Sequence, residues 1–341
     1  MAETESGYYC KVDNTLYYAD RSNLNNWVVA CNEPNCSGKS IVCPARFQSN
    51  FRLNGNQIET IRNPQFFHNG GENCSAMYTM RVDGTELKQK FVLDGSSMED
   101  GGSSGTWLLQ DRILAFYSRM QADGSFTNSL LQMDVDGTHT LYTSESADLE
   151  TPFIAPAQDW CAMRGDLALY ISLLHEDDAL SHLYRTTGTS LEEIPYICNY
   201  DLRGAYLSGS TLFHFIPNDG YYETDLNTSH GKKHMDAQLQ DSIAFHLTEQ
   251  YIVETNRLID QTETPAEALL YDGETWHTIS LPETMAKENV NLFPVAIASD
   301  RIFFTTYPDD IQTNLYYLLL SDSHPTLTLC WELPRGEHSK P

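Results

Sequence analysis

Lysine and arginine are scarce in this chain of 341 residues: 21 of them stand against 47 aspartates and glutamates, a formal net charge of -26. A surface that acidic repels phosphate backbones and argues against nucleic acid as a partner. It is the surface of a protein kept soluble by charge, and any ion it attracts is cationic. No stretch approaches the roughly 18 consecutive apolar residues that a membrane-spanning helix needs. Helical patterning is nearly missing too; only 282–290, with Pro282 near its start, suggests one or two turns. The opening residues MAETESGYYC hold neither a basic nor an apolar segment of the signal-peptide kind. Two readings follow, a cytoplasmic chain or one whose targeting segment has given way to a start methionine. Walker, Rossmann, HExxH and WD signatures are all lacking.

What is present is aromatic and repetitive. The 19 tyrosines and 14 phenylalanines favour strands. A polar turn followed by a short apolar run occurs as Asp111-Arg112-Ile113-Leu114-Ala115-Phe116-Tyr117. Looser copies fall at 15–19, 57–61, 166–172, 210–216, 250–254 and 301–307. A spacing of about 40 to 55 residues is that of propeller blades, not of helical solenoids. The expected fold is therefore all-β, a single β-propeller domain over 1–341, with seven blades the best count and six or eight also compatible.

The expected blades run 8–44, 46–93, 106–143, 159–196, 203–238, 242–281 and 292–331. The first is short, with strands at 8–12, 15–20 and 27–32 only. Residues 1–7 are expected as a disordered tail and 332–341 as a C-terminal tail. Asp83-Gly84, Asp136-Gly137 and Asp272-Gly273 are expected as type I′ hairpins between last and next-to-last strands, and Gly188 takes that role in the fourth blade. The remaining connections are expected to be long: 62–73, 118–128, 174–180 and 257–266 within blades, and 94–105, 144–158 and 282–291 between them. Short and long connections would emerge on opposite faces, and long loops on a rigid scaffold are where binding residues sit.

Eight cysteines are present, three of them close together at Cys31, Cys36 and Cys43. Such a group suits a disulfide, free thiols, or a structural metal such as zinc with a fourth ligand from elsewhere. Cys161, Cys198 and Cys330 fall in strand-like runs, where a buried free thiol is the ordinary expectation.

Residues 8–47 resemble a family of uncharacterised bacterial propeller proteins, frequently exported or lipid-anchored. The shared features are the strand Leu16-Tyr17-Tyr18-Ala19-Asp20, the loop Cys31-Asn32-Glu33-Pro34-Asn35-Cys36, and Cys43 followed by Ala45 and Phe47. The family loop commonly has histidine two residues after its second cysteine; here that position is Gly38, which removes one ligand from a metal site. The resemblance implies an extracytoplasmic or cell-surface propeller, with a lipid anchor in the native precursor. It implies no reaction.

Candidate contact residues are His68, Arg119, His175, Asp178 and Arg257 on the expected long loops, and Asp309 after the second strand of its blade. Glu176-Asp177-Asp178 and Asp309-Asp310 would bind Ca²⁺ or a cationic group if they converged, and are otherwise solvated charge. His214, in mid-strand, is expected as a hydrogen-bonded core or channel residue. Asp134-Val135-Asp136-Gly137 is expected as strand and turn, and Arg164-Gly165-Asp166 as a tight turn. The functional expectation is a binding scaffold without a cofactor, using its long-loop face for a glycan, peptide or protein. The alternative is a polysaccharide lyase or glycoside hydrolase at the channel mouth, with Asp178 or Asp309 as acid or base and Arg119 and Arg257 holding an anionic substrate.

Overall fold

Five copies of the recurring apolar run mark one structural position, while the copy at 15–19 lies on the third strand of its sheet. Ile58, Ile113, Leu212, Val253 and Ile302 each follow a polar turn, and each is at most 1% exposed. They lie on β6 (Gln57–Arg62), β10 (Ile113–Met120), β17 (Thr211–Ile216), β21 (Ile252–Asn256) and β25 (Arg301–Tyr307), the second strands of their sheets. A strand covered on both faces loses the polar–apolar alternation of a half-solvated one. Ile302, Phe303 and Phe304 accordingly lie consecutively in the core, as do Ile113, Leu114 and Ala115.

The computed structural model describes residues 1–12, 14–33, 35–40, 43–47, 51–62, 76–92, 101–109, 112–146, 170–175, 180–187, 190–198, 204–256, 267–283, 285, 291–307 and 314–332. For some strand residues, among them 101–107, 116–120 and 170–175, it describes the backbone alone. Around the second strands stand antiparallel partners in chain order. The remaining strands are β1 (Ala2–Glu3), β2 (Gly7–Val12), β3 (Thr15–Asp20), β4 (Val28–Val29), β5 (Phe51–Asn54), β7 (Ala76–Arg81), β8 (Lys88–Val92), β9 (Gly101–Leu108), β11 (Phe126–Asp134) and β12 (Gly137–Ser146). They continue as β13 (Tyr170–His175), β14 (Leu180–Thr187), β15 (Ser190–Cys198), β16 (Tyr206–Ser208), β18 (Gly220–Asp225), β19 (His230–Asp236), β20 (Ser242–His246), β22 (Ala268–Tyr271), β23 (Trp276–Thr278), β24 (Asn291–Ile297), β26 (Asn314–Leu319) and β27 (Thr328–Glu332).

Among the described residues these strands form six four-stranded meanders and one three-stranded sheet, β13–β15. A succession of four-stranded meanders is the blade arrangement of a β-propeller. Six four-stranded blades fall within the range expected from the repeat.

By density of contacts the chain divides into two units. Met1–Tyr8, Ala19–Trp27 and Leu202–Pro341 form the first, and Tyr9–Tyr18 with Val28–Asp201 the second. Within each, hydrophobic clusters join sheets that follow one another in sequence. In the second unit, Ile61 and Met77 pack with Leu108, Ile113, Ala115 and Met133. In the first, Val253, Ala268 and Leu270 pack with Ile302, Phe304 and Leu318. Each such fully buried aliphatic side chain contributes on the order of 1.5–3 kcal/mol.

Several local expectations change. The first sheet holds four strands, because Ala2–Glu3 supplies the missing one from the segment expected to be a disordered tail. A turn from Thr4 N–H to Gly7 O, 2.8 Å, brings it there. Within the presumed loop 94–105, residues 101–105 belong to β9, whose pairing to β10 overrides the weak strand preference of Gly and Ser. The presumed loop 118–128 shrinks to 121–125, since pairing of β10 with β11 continues to Met120↔Phe126. β13 and β14 likewise pair out to His175↔Leu180, and β12 extends to Ser146. The hairpin at Asp136-Gly137 pairs Asp134 with Gly137, so Val135 and Asp136 are the central residues, and neither has positive φ. It is not a type I′ turn. Asp83 and Asp272 sit in longer loops, where their carboxylates accept the N–H of Thr85 at 2.9 Å and Glu274 at 2.8 Å. The connections 63–75 and 257–266 and residue Gly188 lie outside the described residues.

Candidate functional site

Of the expected contact residues, His68, Asp178, Arg257 and Asp309 lie outside the described residues, as do the runs 176–178 and 309–310 and the tripeptide 164–166. Arg119 and His175 are placed by backbone alone, Arg119 on β10 opposite Thr127 and His175 on β13 opposite Leu180. The three cysteines, by contrast, are brought together.

Their loop leaves β4 and folds back along β3. Leu16 N–H donates to Ala45 O and Phe47 N–H to Asn14 O, both 2.8 Å, and Thr15 bridges to Arg46. Asn35 at φ +58° reverses the chain, and Cys36 N–H donates to Glu33 O at 3.2 Å. The result places all three sulfurs within 4.8 Å of one another, with Cys36 Sγ and Cys43 Sγ 3.3 Å apart. Gly38, the position where a histidine had been missed, has φ +71° and sends its N–H to Cys36 Sγ at 3.4 Å. A Cβ there would stand 2.3 Å from Thr15 Cγ2, so no larger residue fits this backbone. Cys43 is buried beside Ala45, Phe47 and Ile58, while Cys31 and Cys36 are partly exposed. Burial and the neighbouring Cys36 thiol push the Cys43 thiol up to about 12. Cys10 and Cys330 are single buried thiols; Cys330 donates to Leu315 O at 3.3 Å, as expected of a strand thiol.

A second polar cluster, within the first unit, escaped the sequence. Tyr8 is buried to 1% exposure, with Arg21 at 5.1 Å and Arg301 at 5.3 Å over its ring and Phe303 edge-on at 4.9 Å. Its hydroxyl donates to Asp300 Oδ1 at 2.9 Å. Burial, with Asp300 adjacent, pushes the phenol up to about 12. The Arg301 hydrogen bonds, with Tyr8 and Arg21, hold Asp300 down at about 2. Arg21 also pairs with Glu3, whose carboxylate accepts Ser299 N–H at 3.0 Å and Ser299 Oγ–H at 2.8 Å. Trp27 and Trp331 stack at 5.0 Å nearby in the same unit. The cluster ties the N-terminal residues to the β24–β27 sheet. It is a clasp, with its donors and acceptors already turned on one another.

The third cluster centres on Glu254, 0% exposed in β21. Its carboxylate accepts Leu239 N–H at 2.7 Å, Gln238 N–H at 3.1 Å, Ser242 Oγ–H at 2.7 Å and the Tyr221 hydroxyl. Beside it His246 meets the Tyr221 ring edge-on at 5.5 Å. His214 bonds Thr224 Oγ1 at 3.2 Å and is 4% exposed, in keeping with the expected core role. Burial holds both imidazoles neutral, His214 down at about 4 and His246 at about 3. These groups brace the path from β19 to β20. A hollow lined by Thr255, Glu267, Ala268, Met285 and Leu292 measures about 10 Å³, room for one water rather than a ligand.

Among the described residues, only the thiol group has the donor chemistry of a ligand site, and it was legible because its members are close in sequence. Tyr8, Arg21 and Asp300 carried no such signal, being brought together by the fold.

No protein-family model matches the chain, and no curated protein matches it. Solved structures do. Prolyl oligopeptidase B from Galerina marginata, bound to a 35mer substrate, is similar with a TM-score of 0.53 at 12% identity, over 92% of this chain and 46% of that one. The acylaminoacyl peptidase of Pyrococcus horikoshii gives 0.51 at 12% identity, over 94% and 48%. The β-propeller domain of the Trilobed protease from Pyrococcus furiosus gives 0.43 at 10% identity, over 68% and 71%. The chain thus spans about half the length of the two peptidases, and what it is similar to in them is fold.

Proposed function

We propose that the chain is a binding scaffold, and that its ligand is a peptide or exposed protein segment, with a glycan second. The carrying observation is the contrast in how its sheets are connected. First and second strands are joined by tight turns such as 55–56, 209–210 and 298–300, while β6–β7 and β21–β22 are separated by 63–75 and 257–267. Those longer connections hang from strands fixed in the core on both faces, the arrangement in which loops carry recognition. The likeness to two peptidases, one bound to a 35mer, supports a peptide over a glycan. The acidic balance of the chain favours a basic or neutral ligand.

Calorimetry against basic and neutral peptide pools and against cell-wall and host glycans tests this. Saturable peptide binding that is lost when 63–75 or 257–266 is replaced by a short Gly-Ser linker supports it. Binding indifferent to both replacements, or no binding at all, overturns it. Turnover of a polysaccharide, read as new reducing or unsaturated ends, would replace it with the lyase or hydrolase alternative. We further propose that the protein works outside the cytoplasm, as the resemblance of its N-terminal forty residues implies. Fractionation of cells making the native gene product checks that directly.

A further inference from the structure

We propose that Cys31, Cys36 and Cys43 form a three-sulfur site for a thiophilic cation, Zn²⁺ in the first instance, with its fourth ligand taken from solvent. Two alternatives compete for the same sulfurs, and geometry separates them. A disulfide needs sulfurs about 2.05 Å apart, while two sulfurs on one tetrahedral zinc, each at about 2.3 Å, stand about 3.8 Å from each other. Cys36 Sγ and Cys43 Sγ are 3.3 Å apart, and Cys31 Sγ lies within 4.8 Å of both. The spacing is nearer that of a shared cation. A disulfide would also use two sulfurs and strand the third, whereas a cation uses all three.

The surroundings agree. Gly38 N–H already points at Cys36 Sγ, a backbone donor that offsets thiolate charge. Asn35 and Gly38, both at positive φ, give the loop its sharp reversal. Cys43 anchors one side of the site in the core, and the partly exposed Cys31 and Cys36 leave the other side open to water. On binding, each coordinating thiol gives up its proton to the buffer. Such a site would fix 31–43 against β3, the strand along which the loop folds back.

Zinc analysis of reduced protein, with Co²⁺ substitution under anaerobic conditions, tests the site. The expected result is one metal per chain and sulfur-to-cobalt charge-transfer absorption in the near ultraviolet. Cys36→Ser and Cys31→Ser, both away from the deepest core, should each weaken binding at least tenfold while the far-ultraviolet circular dichroism is unchanged. Reduced, folded wild type that takes up no Zn²⁺ or Co²⁺ at micromolar concentration overturns the site. So does metal binding that survives both substitutions. Neither result touches the proposal about the loops 63–75 and 257–266, so the two can fail separately.

Discussion

Glu59 and Glu254 occupy corresponding places in two blades, in Ile58-Glu59-Thr60 on β6 and Val253-Glu254-Thr255 on β21, and both are buried, at 2% and 0% exposure. Their surroundings diverge. Glu254 is filled by two backbone N–H groups and two hydroxyls. Glu59 meets Asn54 Nδ2 at 3.4 Å and Lys90 Nζ at 3.5 Å, and among the described residues its Oε2 has no donor. Burial at the repeat position is therefore set by the fold, while the reason for a carboxylate there is local. In β21 it organises the backbone at 237–241; in β6 it is a charge with loosely held partners.

The largest expected effect tests that contrast. Glu254→Leu should lower unfolding free energy by roughly 3–5 kcal/mol, because it takes the acceptor from the buried Tyr221 hydroxyl and from the part-buried Gln238 and Leu239 N–H groups. Glu59→Leu should cost within about 1 kcal/mol, since it removes a poorly satisfied carboxylate. Denaturant midpoints of the two variants decide, and equal losses would break the comparison.

Acid should expose the same unit next. His214 and His246 are held neutral in the fold, so the unfolded chain takes up protons first as pH falls below about 6.5. Their contribution is whole above that pH and is lost progressively down to about 4 for His214 and about 3 for His246. The loss is on the order of 3 kcal/mol per histidine. His246→Phe should flatten the fall in stability between pH 6.5 and 4. An unchanged slope counts against burial as its cause.

A smaller effect belongs to the thiol region. Gly84 has φ +78°, and a Cβ there would stand 2.8 Å from Ala30 O and 2.9 Å from Cys31 Cα. Gly84→Ala should cost about 1–3 kcal/mol and quicken alkylation of Cys43. Gly55→Ala, at φ +57° with nothing within 4 Å, should cost about 1 kcal/mol and leave Cys43 as it was. A change as small as that of Gly55→Ala is expected for Tyr8→Phe, about 1 kcal/mol for one hydrogen bond to Asp300, seen in the thermal midpoint.

The blade rhythm was legible because a strand buried on both faces prints an apolar run, and Ile58, Ile113, Leu212 and Ile302 keep it. Ala2–Glu3 was not, since two residues carry no period and only pairing makes them a strand. Gly101–Gly105 misled for the opposite reason: composition spoke for a loop and hydrogen bonding to β10 prevailed. The cysteine group could be found from spacing alone, although its three-sulfur geometry could not. The Tyr8 clasp left no trace, because its partners lie 278 to 296 residues apart along the chain.

That separation has a consequence for biogenesis. Tyr8 leaves the ribosome 292 residues ahead of its acceptor, Asp300. At roughly 5–20 residues per second, the phenol waits about 15–60 s for its partner. Through that interval the N-terminal segment holds an unsatisfied aromatic ring and two strands still short of their final packing. The clasp cannot close before Asp300 emerges, so a ribosome stalled before that residue would release a chain without the bond from Tyr8.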